Sequence, residues 1–130
     1  MNRTVFLLLR LGIGISMFGH GIVRVPKLAA FTEWMVGSMA KSMLPESLVR
    51  PFGYILPILE LAVGVLLLLG LFTEMALIGG GVVMLMLLFG TSLAENWEAL
   101  PSQLIHLAYF ALLLQFVASN SWAVYKMLRK

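Results

Sequence analysis

The sequence predicts an all-α integral membrane protein: a four-helix bundle with an amphipathic interfacial helix between its first and second spans. Three observations carry this. Hydrophobic residues make up 61% of the 130 residues and charged residues 12%, half the roughly 25% of an ordinary soluble domain. The mean hydropathy is +0.98, and so few charges cannot coat the large relative surface of a small soluble domain. The apolar residues also fall into four stretches, each close to the ~20 residues that a helix needs to cross a hydrocarbon core. None alternates with period two, as a β-barrel strand would. Residues 1–130 read as a single membrane domain.

The first span is expected at residues 5–23, interrupted by Arg10. That interruption, with no small-residue cleavage pattern after it, argues for a span rather than a signal peptide. The second is expected at 52–72. The third is expected at 75–93, with no charge between Glu74 and Glu95. The fourth is expected at 101–119. Thr73 and Glu74 nearly fill the second connection, so spans two and three should form a tight antiparallel hairpin. The third connection, 94–100, places Trp97 at headgroup level. The first connection is longer. In it Leu28, Phe31, Met35, Met39 and Met43 recur at three- and four-residue steps, while Lys27, Glu33, Lys41 and Ser42 mostly take other faces. Pro26 suits a first helical turn and Pro45 stops the run. Residues 27–44 are therefore expected to lie as a helix across one mouth of the bundle, held by Phe31, Trp34 and Met35.

Four spans put both ends of the chain on one side. Arg3, Lys126, Arg129 and Lys130 lie there, against Arg24, Lys27, Lys41 and Arg50 on the other. The tight basic cluster from Lys126 to Lys130 favours cytoplasmic termini.

Composition narrows the function classes. A soluble globular domain and a disordered chain are excluded. The nine Lys and Arg are dispersed, so the net charge of +3 forms no nucleic-acid-binding patch. With no Cys in the chain, disulfide chemistry, iron–sulfur clusters and thiolate metal sites are ruled out. No metal site is expected.

Ionisable groups inside spans cost about 2.5–3.5 kcal/mol at the centre, so they face the protein interior and find partners. Helix rise sorts them by depth from the outer ends: His20 roughly 5 Å in, His106 roughly 8 Å, Glu60 and Tyr109 about 12 Å, Arg10 and Gln115 near 20 Å. At about 100° per residue, Arg10, Gly14, Met17, Gly21 and Arg24 share one line of the first span, with His20 at its edge. Gly53, Glu60, Gly64 and Leu67 share a face of the second. Gln103, His106, Tyr109 and Phe110 share a side of the fourth. Gly14, Gly21, Gly53 and Gly64 should bring the first two spans into close contact. Gly79 to Gly81 read as a packing site, since no Lys-Ser/Thr follows to make a phosphate loop. Arg10 is expected to snorkel to the nearer surface, and Gln115 to bond between helices.

The first span reads Leu-Arg10-Leu-Gly-Ile-Gly14, then His20-Gly21. The second reads Pro-Ile-Leu-Glu60-Leu-Ala-Val-Gly64 and ends Gly70-Leu-Phe-Thr73. This pattern resembles the DoxX family of small four-helix membrane proteins, across the whole chain by length and span order and most specifically up to about residue 73. The family often closes helix four with a Gly-rich turn and Ser-x-Asp. Here the corresponding stretch, residues 119–125, has neither Gly nor Asp. The resemblance implies a four-helix bundle in a bacterial inner membrane. Some relatives are tied to quinone-dependent sulfur oxidation or membrane redox complexes.

The leading functional expectation is a redox-linked, quinone- or quinol-associated membrane subunit with a polar intramembrane pocket, part of a quinone-linked oxidoreductase complex. Glu60, His20 and His106 are its candidate catalytic residues, because His and Glu can exchange protons with a quinone head. Tyr109, Gln103 and Arg10 are its candidate cofactor-binding residues. Quinone is the expected cofactor, and haem, which would need His20 and His106 as axial ligands, is not. Glu60 is expected to bond to His20, His106 or Tyr109 and to face a cavity. The expected partners are the lipid bilayer and either a redox subunit or a second copy of the chain. Two other classes stay open: a non-catalytic membrane scaffold, and a small-solute or proton transporter.

Overall fold

In the computed structural model, residues 1–120 are described. The basic cluster at Lys126 to Lys130, and residues 121–125 of the closing stretch, lie outside the described residues. The described residues form α-helices and short 3-10 turns, with no strand among them.

Helix α1 spans Arg3–Arg24. The Asn2 side chain caps it, accepting from the Thr4 and Val5 amides at 2.7 and 3.3 Å, which satisfies two of the first-turn donors that a helix leaves open. A 3-10 turn, Val25–Lys27, carries Pro26 and leads into α2, Leu28–Ser38. Helix α3 spans Glu46–Leu69. Its buried residues Gly53, Leu56, Pro57, Glu60, Val63, Gly64 and Leu67 follow the three- and four-residue steps of one helix face. Gly70 ends it in the left-handed conformation at φ 71°, which only glycine adopts freely. Helices α4, Thr73–Leu93, and α5, Leu100–Gln115, complete the bundle, with a final 3-10 turn at Val117–Ser119.

Helices α1, α3, α4 and α5 form a ring: α1 packs on α3, α3 on α4, α4 on α5, and α5 returns to α1. Neighbours run antiparallel. Gly21 meets Leu61 and Gly64 meets Phe18, backbone to backbone, so rising numbers on α1 meet falling numbers on α3. Gly14 faces Leu67 and Leu68. A Cβ at Gly80 would strike the Phe110 ring, which makes the triple-glycine run a packing site between α4 and α5. Helices α1, α3 and α4 are long and apolar enough to cross a membrane, and α5 is a shorter apolar helix. The protein is a multi-pass membrane protein.

The structure corrects several expectations. Gly53 packs not on α1 but on Thr32 of α2, whose side chain would lie 3.0 Å from a Cβ there. Thr73 and Glu74 are the first turn of α4, and the hairpin connection is Gly70 to Phe72. Helix α3 begins at Glu46, well before residue 52. Helix α2 ends at Ser38 rather than continuing to 44, and Met43 is exposed. Ser38 and Ser42 hydroxyls donate to the Met35 and Met39 carbonyls. Such local side-chain bonds compete with helix propagation. Pro45 is the N-cap of α3 rather than the stop of α2.

Candidate functional site

Most of the intramembrane polar side chains collect at the end of the bundle that α2 covers. They line a cavity of about 560 Å³ with mostly apolar walls. Among its polar residues are His20 and Arg24 from α1, Ser38 from α2, Glu60 from α3, Thr91 from α4, and Ser102, Gln103 and His106 from α5. The ring of antiparallel helices brings these positions, far apart in sequence, to one level.

Glu60 is the deepest anion and is only 3% exposed. Its Oε1 accepts from Arg24 Nη1 at 3.3 Å. Arg24 is the last residue of α1, and its guanidinium also lies 4.5 Å over the Phe31 ring. One cation thus joins α1, α2 and α3 at the mouth, through an ion pair on one side and a cation–π contact on the other. Phe31 in turn stacks on Trp34 at 5.9 Å.

The two histidines meet edge to face, with ring centroids 6.1 Å apart. Each Nδ1–H donates to the carbonyl four residues earlier, His20 to Ser16 and His106 to Ser102, both at 2.7 Å. This fixes Nε2 as the acceptor of each neutral ring. His106 Nε2 receives the Ser16 hydroxyl at 2.7 Å, so both of its nitrogens are engaged. His20 is exposed to the cavity and its Nε2 has no protein partner among the described residues. Gln103 Nε2 donates to Thr91 Oγ1 at 2.9 Å. The site therefore holds one deep carboxylate, one cation beside it, and one imidazole nitrogen able to take a proton.

Of the residues singled out from sequence, His20, Glu60, Gln103 and His106 line this cavity. Tyr109 and Arg10 do not. Tyr109 packs against the apolar core. Arg10 is only 2% exposed at the opposite end, where it donates to Asn120 Oδ1 at 2.6 Å, and Asn120 donates to Thr73 Oγ1 at 2.9 Å. Arg10 thus joins α1 to the end of α5 and the start of α4, and does not snorkel. Gln115 is exposed rather than set between helices. Glu60 bonds to Arg24, not to a histidine or Tyr109. Sequence reasoning also missed Ser16, Thr91, Asn120 and Thr73. For Arg24 the signal existed: it shares the inward line of α1 with Met17 and Gly21. For Asn120 there was none.

Outside the cavity, Arg50 on α3 pairs with Glu46 and with Glu33 of α2. The Arg50 guanidinium holds the Glu33 carboxyl below its ordinary range.

The DoxX family model matches residues 5–93, more than half of the chain and nearly all of α1 to α4. His20, Arg24, Glu60 and Thr91 fall inside the match, and Gln103 and His106 beyond it. No curated protein and no solved structure matches.

Proposed function

The chain belongs to the DoxX family, and from that premise we propose that it is a redox-linked subunit of a bacterial inner membrane whose cavity holds the head of a quinone or quinol. The observation that carries this is a single cavity combining apolar walls, a buried carboxylate and an unengaged imidazole nitrogen. A quinone bound there would supply two-electron, two-proton chemistry. In that reading His20 Nε2 accepts or returns a proton near the mouth. Glu60 does so deeper, with Arg24 holding its carboxylate in place. Gln103 and Thr91 orient polar atoms of the head, and Met17, Leu56 and Met84 exclude water from it. The chain has no Cys and so no thiolate-held cluster, so in this reading a partner redox subunit carries the electrons. Haem fits the donor set poorly, because His106 has both nitrogens bonded and axial ligation needs one free. A transporter gains less support, since α1 and α3 meet at backbone contact through Gly64 and Phe18. We place both termini in the cytoplasm, on the basic cluster near the end of the chain, so the α2 mouth faces outward.

The test is titration of the purified protein in nanodiscs with a short-chain quinone, followed by quenching of Trp34, which lines the cavity. Saturable quenching is expected. It should vanish in Trp34→Phe and weaken strongly in His20→Phe and Glu60→Gln, while the helical circular-dichroism signal persists. Quenching that never saturates, or that ignores both site substitutions, removes the quinone reading and leaves the scaffold.

A further inference from the structure

The walls of the cavity do not all belong to the interior of the bundle. Phe89 and Met86 on α4 line it, yet are 62% and 48% exposed. They lie on a membrane-spanning helix, Phe89 about 6 Å and Met86 about 10 Å from its end by helix rise. At that depth an exposed face meets hydrocarbon. The cavity surface is therefore continuous with the lipid-facing surface of α4.

The gap follows from how α2 is fastened. It leans on α3, where Thr32 seats against Gly53 and Glu33 pairs with Arg50. Towards α4 its approach is a side-chain tip, the Met39 Cε, 3.6 Å from where a Cβ of Gly90 would be. Trp34 lines the cavity while 60% exposed. The roof is thus pinned on one side and open on the other.

We propose that the cavity is loaded sideways from the bilayer, between α2 and α4, and that its ligand is an amphipathic lipid. Its polar head reaches His20, Arg24 and Glu60, and its tail leaves past Met86 and Phe89. The division of the wall argues for that chemistry. The proton-exchanging and charged groups His20, Arg24 and Glu60 stand on α1 and α3, while Met84, Met86, Leu87 and Phe89 make the α4 wall largely apolar towards the lipid. A small hydrophilic solute would leave the apolar half of the cavity without a counterpart. This inference rests on the same cavity as the quinone reading but not on the identity of the head.

Photo-crosslinking in the native membrane tests it. Phe52→p-benzoylphenylalanine is a conservative change at a partly buried position on the cavity wall. The same replacement at Leu85, exposed on α4, samples bulk lipid. Irradiation of the full-length chain followed by mass spectrometry should show a lipid adduct at position 52 whose head differs in distribution from the adducts at 85. Gly90→Phe, projecting towards Met39 across the gap, should lower the yield at 52 several-fold without changing the yield at 85. Gly90→Leu serves where the larger ring impairs folding. A quinone adduct supports both readings. Another lipid adduct that is sensitive to position 90 supports lateral loading and removes the quinone. No lipid adduct at 52, or one indifferent to position 90, overturns lateral loading.

Discussion

Arg24 and Glu60 decide how a carboxylate can sit 3% exposed inside an apolar bundle. An isolated charge there is strongly disfavoured, and the Arg24 guanidinium at 3.3 Å supplies the compensation. Removing one partner leaves the other buried and uncompensated, which costs more than removing both. Arg24→Leu should therefore destabilise by about 1–3 kcal/mol, at the lower end because the Arg24 side chain is itself partly exposed. Arg24→Leu combined with Glu60→Leu should cost less than the two single changes together. Denaturant titration in mixed micelles, arranged as a double-mutant cycle, measures this, and strict additivity would sink the pairing. At this scale the sequence was half legible. Depth by helix rise and shared helix faces grouped Glu60, His20, Gln103 and His106, and with them Tyr109, which the structure instead packs against the apolar core. The partners were less visible, because a partner depends on which neighbour the chain brings back. Asn120 reaches Arg10 from 110 positions away, and no depth arithmetic along one helix can find it.

Helices were the most legible level, because length and apolarity set the spans whatever their neighbours. Their ends were less so: α2 stops at Ser38 through local serine bonds that a hydrophobic period does not register. The glycine contacts between α1 and α3 were visible as a shared face, and three of the four expected ones form. At Gly64 a Cβ would lie 2.3 Å from the Phe18 nitrogen, a backbone atom that cannot step aside. Gly64→Ala should push the helices apart and cost about 1–3 kcal/mol, the range for overpacking a core. Gly12→Ala, with nothing within 4 Å, should leave stability unchanged or slightly raised, and thermal unfolding of both variants in the same detergent separates the effects. The fastening of α2 should be pH-dependent. Arg50 holds Glu33 below its ordinary value, so this contribution is complete above the unfolded-state carboxyl value and is lost as pH falls through the lowered one. Acidification should therefore raise the protease sensitivity of the connection at 39–44. Glu33→Gln should show that sensitivity already at neutral pH.

For the whole molecule, the ring order and the antiparallel alternation turn four helices into a body with two unlike ends. One end carries α2, the α4–α5 connection and the cavity. The other carries the start of α1, the α3–α4 hairpin and the Arg10–Asn120–Thr73 chain of hydrogen bonds. Helix α5 is the short member of the ring. Its 16 residues rise about 24 Å, less than the ~30 Å of a hydrocarbon core. The turn at Val117–Ser119 and the buried Asn120 finish that corner, drawing it inward against α1 and α4 instead of leaving it to lipid. Because the chain has no Cys, single cysteines can map this polarity without background. Lys41→Cys after α2 and Asn96→Cys in the α4–α5 connection should react with a membrane-impermeant maleimide from one side, and Glu74→Cys at the opposite hairpin from the other. All three positions are exposed. With both termini in the cytoplasm, Lys41→Cys and Asn96→Cys should label in intact spheroplasts, and Glu74→Cys only after the membrane is opened. The reverse pattern would invert the orientation while keeping the bundle and turn the cavity mouth towards the cytoplasm. Labelling of Asn96→Cys and Glu74→Cys from the same side would be incompatible with α4 crossing the membrane at all.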